Sequence, residues 1–431
     1  MNEVITWLWL VVDALIALLT QPFYYIAIVL LALSYRRQGM LERRLLHTRL
    51  HGWPLLTLRA IFTGILVGLI VSVVYLLLGI EMTAQAVVAI WVTSIILMLF
   101  RVRYLNAVYA VGLLGVVQWL LKLFGSWEPQ GFLEAIVSTI RDLPIPQLLV
   151  LAAVLHLTQA MFIKLQQEQN ASPVYFKGKR GKLVGGYQLQ YYVPVPLMLL
   201  MPTTSASGAD LAWSPLLAGG ADMYMLYAVP FIIGFSEMTK SMLPEEKAAL
   251  TMKRLLLYGV ILLVLSLLSV WWNPLSLVAV LFALIGLEAI CWISSSEEEN
   301  RSPMYVHPKQ GLQVLAVLPG SPAEELGIQA GEVIFRVNGQ HVSSQAELHS
   351  ALRMNPAFCK LEVRNIEGES KFLQRAIYEG EHHQLGALLA PDPDTGFAID
   401  ERPASFFQIV GMKLDTHRTE KPAPDPFSHE A

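Results

Sequence analysis

With 431 residues, 54% hydrophobic content and a mean hydropathy of +0.49, the chain is too apolar to be soluble, and its first two thirds belong in a membrane. A formal charge of −3 leaves no basic face to recruit nucleic acid. Two cysteines, Cys291 and Cys359, give neither a disulfide framework nor a metal-ligand spacing.

The opening MNEVITWLWLVVDALIALL carries an apolar run but no basic stretch ahead of it and no small-x-small cleavage site, so it is expected to be retained. Apolar runs of roughly spanning length fall at 15–35, 60–80, 84–100, 104–124, 145–163, 222–239, 254–272 and 275–293. Residues 4–19 form either a separate crossing or an interfacial helix before Pro22. YYVPVPLMLLMP, residues 191–202, is short and broken by Pro194 and Pro196, which predicts a re-entrant segment covered by protein.

Orientation follows from Lys and Arg. Arg36, Arg37, Arg43, Arg44, Arg49 and Arg59 lie after the first run, Arg101 and Arg103 later, then Lys164, Lys177, Lys179, Arg180 and Lys182, then Lys240, Lys247, Lys253 and Arg254. These four clusters are expected in the cytoplasm, and the connections GIEMTA, GSWEPQGFLEAIVSTIRDLPIP and WWNP outside. Counting crossings onward places everything after residue 293 in the cytoplasm. Residues 294–303, SSSEEENRSP, then read as a polar linker, and 391–431 as a Pro- and charge-rich, disordered tail.

Between them, residues 304–390 alternate short β-type runs with turn signals. GLQVLAVL and EVIFRVNG read as strands ending at Pro319-Gly320 and Asn338-Gly339. SPAEELG has a Ser cap, Pro at the first helical position and a closing Gly. SSQAELHSALRM begins on Ser343 or Ser344 and sets Leu348 and Leu352 one turn apart on one helix face; KLEVRNIEGESKFLQRAI reads as a hairpin turning at Glu367-Gly368.

PGSPAEELGIQAGEVIFRVNGQHV resembles the PDZ domains of bacterial membrane and periplasmic proteins. The matching elements are Gly311-Leu312-Gln313-Val314, Ser321-Pro322-Ala323, Gly327 through Gly331, Glu332 in place of the usual Asp, Ile334 and Asn338-Gly339. The resemblance implies an α+β fold, a partly open β-barrel with two helices, that binds an extended peptide by adding it as a strand. Gly311, Leu312, Gln313 and Val314 would form the carboxylate loop and the pairing edge, and Leu348 and Leu352 the helix wall. Alternatively, Leu312, Val314, Leu348 and Leu352 are core, because so small a domain buries most of its large apolar residues.

Catalytic constellations are sparse. His47 and His51 in LHTRLH lack the Glu of a zinc-protease helix, SASG at 205–208 has no partner His, and GKRGKLVGG lacks the terminal Lys-Ser/Thr of a P-loop. His156 and Glu288 are ionisable at membrane depth, with Asp13 a third if 4–19 spans, and two isolated polar residues fall short of a transporter's relay. Gly64 and Gly68 form a small-xxx-small pair that predicts close helix packing.

The order of parts is that of an α-helical multi-pass membrane bundle (1–293), the basic loop SPVYFKGKRGKLVGGYQLQYYVPVP at 172–196, a closing pair of apolar runs and one PDZ domain (304–390). It resembles the MinJ family of cell-division topological determinants. That resemblance implies an adaptor without catalysis or cofactor, sited in the cell membrane at septum and poles. Its partners would be DivIVA-like and MinD-like proteins, other divisome membrane proteins, membrane lipid, and peptide segments or C-termini in the PDZ groove. A non-catalytic, substrate-presenting subunit of a membrane protease is the alternative.

Overall fold

The computed structural model describes residues 2–46, 52–125, 130–166, 171–178, 182–205, 208–211, 213–308, 310–355, 358–376 and 385–391. His47, His51, Ser207 and the tail from 392 onward lie outside them. The membrane region opens with helices α1 (Asn2–Leu19), α2 (Pro22–Leu46), α3 (Trp53–Leu78), α4 (Ala84–Phe100), α5 (Ala107–Leu123), α6 (Phe132–Arg141) and α7 (Ile145–Gln166). The run expected at 15–35 is not one helix: α1 and α2 meet at 63°. Pro22 has no N–H to continue the ladder, and Thr20 turns its hydroxyl back onto the Ala17 carbonyl at 2.7 Å. Helices α3, α7, α8 (Pro244–Trp271) and α9 (Leu275–Asn300) are each long and apolar enough to cross a bilayer.

The proline-broken segment at 191–202 and the apolar run at 222–239 are strands. β1 (Ala171–Lys177), β2 (Leu183–Pro202) and β3 (Tyr224–Thr239) form an antiparallel sheet in the order β1-β2-β3, and β2 and β3 pair in register from Tyr187–Thr239 to Pro202–Tyr224. This corrects the helix expected at 222–239 and the re-entrant segment expected at 191–202. Pro194, Pro196 and Pro230 would each break a helix, whereas a strand tolerates proline where its N–H would face away from the ladder.

Buried strands at membrane depth require every edge group to find a partner. On the outer edge of β2, Tyr35 donates to the Tyr192 carbonyl at 3.2 Å, Pro194 and Pro196 have no N–H, and Met198 N–H donates to Ser72 Oγ at 2.7 Å. Leu200 N–H bonds Ile80, and its carbonyl accepts from Met82 at 2.8 Å. On the outer edge of β3, Gln21 and Gln159 donate to the carbonyls of Ala228 and Gly234 at 2.6 and 2.9 Å. Gly64 and Gly68 serve this hairpin rather than a second helix: a Cβ on either would overlap the carbonyl oxygen of Pro194 or Pro196. At about 3.3 Å per residue the paired strands run about 50 Å, against a bilayer core about 30 Å thick.

The stretch expected to be a linker is helical to Asn300. Its acids have partners: Glu297 pairs with Arg254 at 2.5 Å, and the nearly buried Glu298 accepts from Lys240 N–H, Ser241 Oγ and Lys247 Nζ at 3.1, 2.9 and 3.2 Å. Glu288, in the same helix, accepts from Arg103 and Tyr109. His156 is buried edge-on to Tyr258 with ring centroids 5.3 Å apart. Both residues therefore sit in packing contacts between helices.

Beyond α9 come β4 (Leu312–Val317), α10 (Pro322–Glu325), β5 (Val333–Val337), β6 (Gln340–His341), α11 (Gln345–Arg353), β7 (Phe358–Arg364), β8 (Ser370–Ala376) and β9 (Ala387–Leu389). Ser321 and Ser344 cap α10 and α11, and Asn338 and Gly339 take φ of 49° and 84° in the tight turn. The main sheet runs β8-β7-β5-β4-β9, with β6 paired to β5.

Candidate docking site

Peptide addition needs a free strand edge, and β4 has none. Val314 N–H donates to Glu332 and its carbonyl accepts from Gly331, both at 2.8 Å, which ties one edge toward β5. On the other edge the Gln313 carbonyl accepts from Ala390 N–H at 2.8 Å and β9 pairs antiparallel with Val314–Val317. The strand after Gly311 is thus interior to the sheet. Gln313 is committed further, since its side-chain oxygen accepts from Val306 N–H at 3.1 Å. Gly311 itself has φ +87°, and a Cβ there would stand 2.6 Å from a Val333 methyl, so it shapes the turn into β4.

Leu312, Val314, Leu348 and Leu352 all lie in the domain's core, at 1%, 0%, 4% and 6% exposure. Glu332, where PDZ domains usually have Asp, accepts from Gln329 N–H at 2.9 Å and pairs with Lys371, closing the turn ahead of β5.

On the β4 side the sheet ends at β9, a segment that sequence reasoning did not single out. It follows Leu385 and Gly386; Gly386 has φ +81° and packs so closely on Ser321 that no side chain fits. Leu318 N–H bonds the Gly386 carbonyl and Ala323 N–H the Leu385 carbonyl, both at 2.8 Å, anchoring β9 to the start of α10. Because strand groups alternate, Gly386 and Ala390 face β4 while the backbone groups of Ala387 and Leu389 face outward. Leu385 belongs to the same apolar cluster as Leu348 and Leu352, with Ala387 and Leu389 packed against it. The only sequence signal for this edge is a short apolar LGALLA with a Gly at its start.

This domain is docked on the membrane region. Val174, Tyr175, Phe176, Val184 and Tyr187 of the β1–β2 hairpin form one buried cluster with Tyr305 and Leu315, and Leu388 packs against it. Gly185 N–H donates to the Tyr305 carbonyl at 2.8 Å, Met304 N–H to Lys240 at 2.7 Å, and Tyr187 Oη to the Leu315 carbonyl. Tyr175 Oη donates to the outward carbonyl of Leu389 at 3.1 Å. Burial pushes the Tyr305 hydroxyl up to about 12, so it stays protonated at physiological pH. In the domain core, burial moves the Cys359 thiol up to about 11. Among the described residues no three His, Cys, Asp or Glu side chains gather as metal ligands.

Comparison with known proteins agrees with this geometry. A PDZ domain family matches residues 313–365. The cell division topological determinant MinJ of Bacillus subtilis is 31% identical over 379 residues, covering 86% of this chain and 92% of that protein. The probable cell division topological determinant MinJ of Lacticaseibacillus paracasei is 23% identical over 348 residues, 78% of this chain and 86% of that one. Likeness to the mouse serine protease HTRA3, 35% over 68 residues, covers only 16% of the chain. That short match is confined to the PDZ region, whereas the division determinants match membrane region and PDZ domain together. The chain belongs to the MinJ family of cell-division topological determinants.

Proposed function

We propose that this protein is a membrane adaptor of bacterial division-site selection. Its PDZ domain faces the cytoplasm, at septum and poles, where it links a DivIVA-like protein to a MinD-like ATPase and so to the division inhibitor MinC. The observation that carries this reading is the likeness to a division determinant over nearly the whole chain, helices and PDZ domain alike. The cytoplasmic orientation is supported by the basic residues: Lys177, Lys240 and Arg254 lie at the end of the bundle that holds the PDZ domain. The outward backbone of β9 supplies a peptide-docking edge, and confinement to the bilayer raises the effective concentration of membrane-bound partners. The test is reconstitution of the full chain in proteoliposomes with purified DivIVA and MinD. Joint recruitment of both supports the adaptor. Recruitment of neither, with capture of a membrane protease instead, supports the protease-subunit reading.

A further inference from the structure

The PDZ edge does not end in solvent. A peptide pairing antiparallel with β9 would set its C-terminal carboxylate at the Gly386–Ala387 turn and run its earlier residues toward Leu389. There the outward carbonyl is already taken by Tyr175 Oη at 3.1 Å, so strand pairing stops after about three peptide residues. Anything upstream of those residues must pass over the β1–β2 hairpin of the membrane region. Tyr175 marks the lip, and Lys177, two residues farther on and on the same strand face, is exposed. Lys182, whose carbonyl accepts from Gly178 N–H at 2.7 Å across the hairpin turn, is exposed as well. Neither lysine has an acidic partner among the described residues, in contrast to Lys247 and Lys371, which are paired.

From this juxtaposition we propose that the docking edge is composite: β9 holds the last residues of a peptide, and the membrane hairpin selects acidic residues immediately upstream. The partner segment is a short apolar C-terminus preceded by Asp or Glu. This rests on the docking reading of β9 given above and adds to it a chemistry supplied from outside the PDZ domain.

The probe is a fluorescein-labelled octapeptide, Glu-Asp-Glu-Asp-Ala-Val-Leu-Val, with a free carboxylate. It is compared with its C-terminal amide and with Lys-Lys-Lys-Lys-Ala-Val-Leu-Val, against the full chain in phosphatidylcholine nanodiscs. The acidic peptide is expected to bind about tenfold or more tighter than the basic one at about 50 mM salt, with the gap closing at about 500 mM. The double substitution Lys177→Glu and Lys182→Glu, at two exposed positions, should reverse the preference without moving the thermal melt. Equal binding of the two free-carboxylate peptides, both weakened by amidation, would leave β9 as the docking edge and overturn the acidic selection. Absence of carboxylate-dependent binding by either would overturn the docking reading itself, and this inference with it.

Discussion

Replacing Gly64 by Ala should loosen the membrane region more than its size suggests. The added methyl would fall 3.0 Å from the Pro194 carbonyl carbon and 2.9 Å from a Val193 methyl, besides overlapping the Pro194 oxygen. Two of these neighbours are backbone, so α3 and β2 must separate. Overpacking of this kind costs about 1–3 kcal/mol. The same separation stretches the 2.7 Å bond from Met198 N–H to Ser72 Oγ, and a buried amide left unpaired costs about 1–3 kcal/mol more. Ala returns up to about 1 kcal/mol of helix propensity, leaving a net loss of about 1–6 kcal/mol. Gly39→Ala is the matched control, since no atom lies within 4 Å of its added Cβ, and it should be neutral or slightly stabilising. Thermal melting of the detergent-solubilised full chain by size-exclusion fluorescence separates the two. Gly64→Ala melting at or above wild type would show that β2 does not pack on α3.

Other outcomes follow from the same contacts. In a background with Cys291→Ser and Cys359→Ser, the pair Gly185→Cys and Tyr305→Cys should cross-link on mild oxidation, because the two Cβ positions lie 3.0 Å apart, near the disulfide range; unlinked thiols under those conditions would mean the PDZ domain is not held on the hairpin. Arg103→Met should lower stability by about 1 kcal/mol, a partly exposed pair being worth less than a buried one, and the exchange Arg103→Glu with Glu288→Arg should recover part of it. A melt of both variants decides whether that pair carries any stability. Cys359, 2% exposed and with its thiol moved up to about 11, should resist maleimide at pH 7 until denaturant is added, in a Cys291→Ser chain. Rapid labelling of the folded protein would contradict its place in the core.

The PDZ domain was legible because its punctuation is local. Ser321, Pro322, Ser344 and the Asn338-Gly339 turn act on their immediate neighbours, and each performs in the fold what its residue type allows. The membrane hairpin was not legible as strands. Buried on both faces over Val193–Leu200 and Ala228–Phe231, β2 and β3 lose there the apolar-polar alternation that marks a half-buried strand, and only Pro194, Pro196 and Pro230 spoke against helices. The linker expected at 294–303 became helix because Glu297 and Glu298 find partners on α8 and the turn before it, which are distant in sequence. The candidate docking edge escaped for a related reason. Which strand ends a sheet is a property of long-range pairing, and β9, only three residues long, acquires its place from β4, 70 or more positions earlier.

Ala387→Pro tests the docking edge most directly. The Ala387 N–H faces away from β4, so proline removes the outward donor while the bonds of Gly386 and Ala390 to the sheet remain, and the melt should move by no more than a few degrees, under about 1 kcal/mol. The measurement is recruitment of purified DivIVA and MinD to proteoliposomes carrying the full chain, wild type beside the variant. Wild type should recruit both, and Ala387→Pro should lose one of them by about tenfold or more, the loss expected when a strand-pairing hydrogen bond gives way to a clash. A folded Ala387→Pro chain that recruits both as well as wild type would contradict docking through β9.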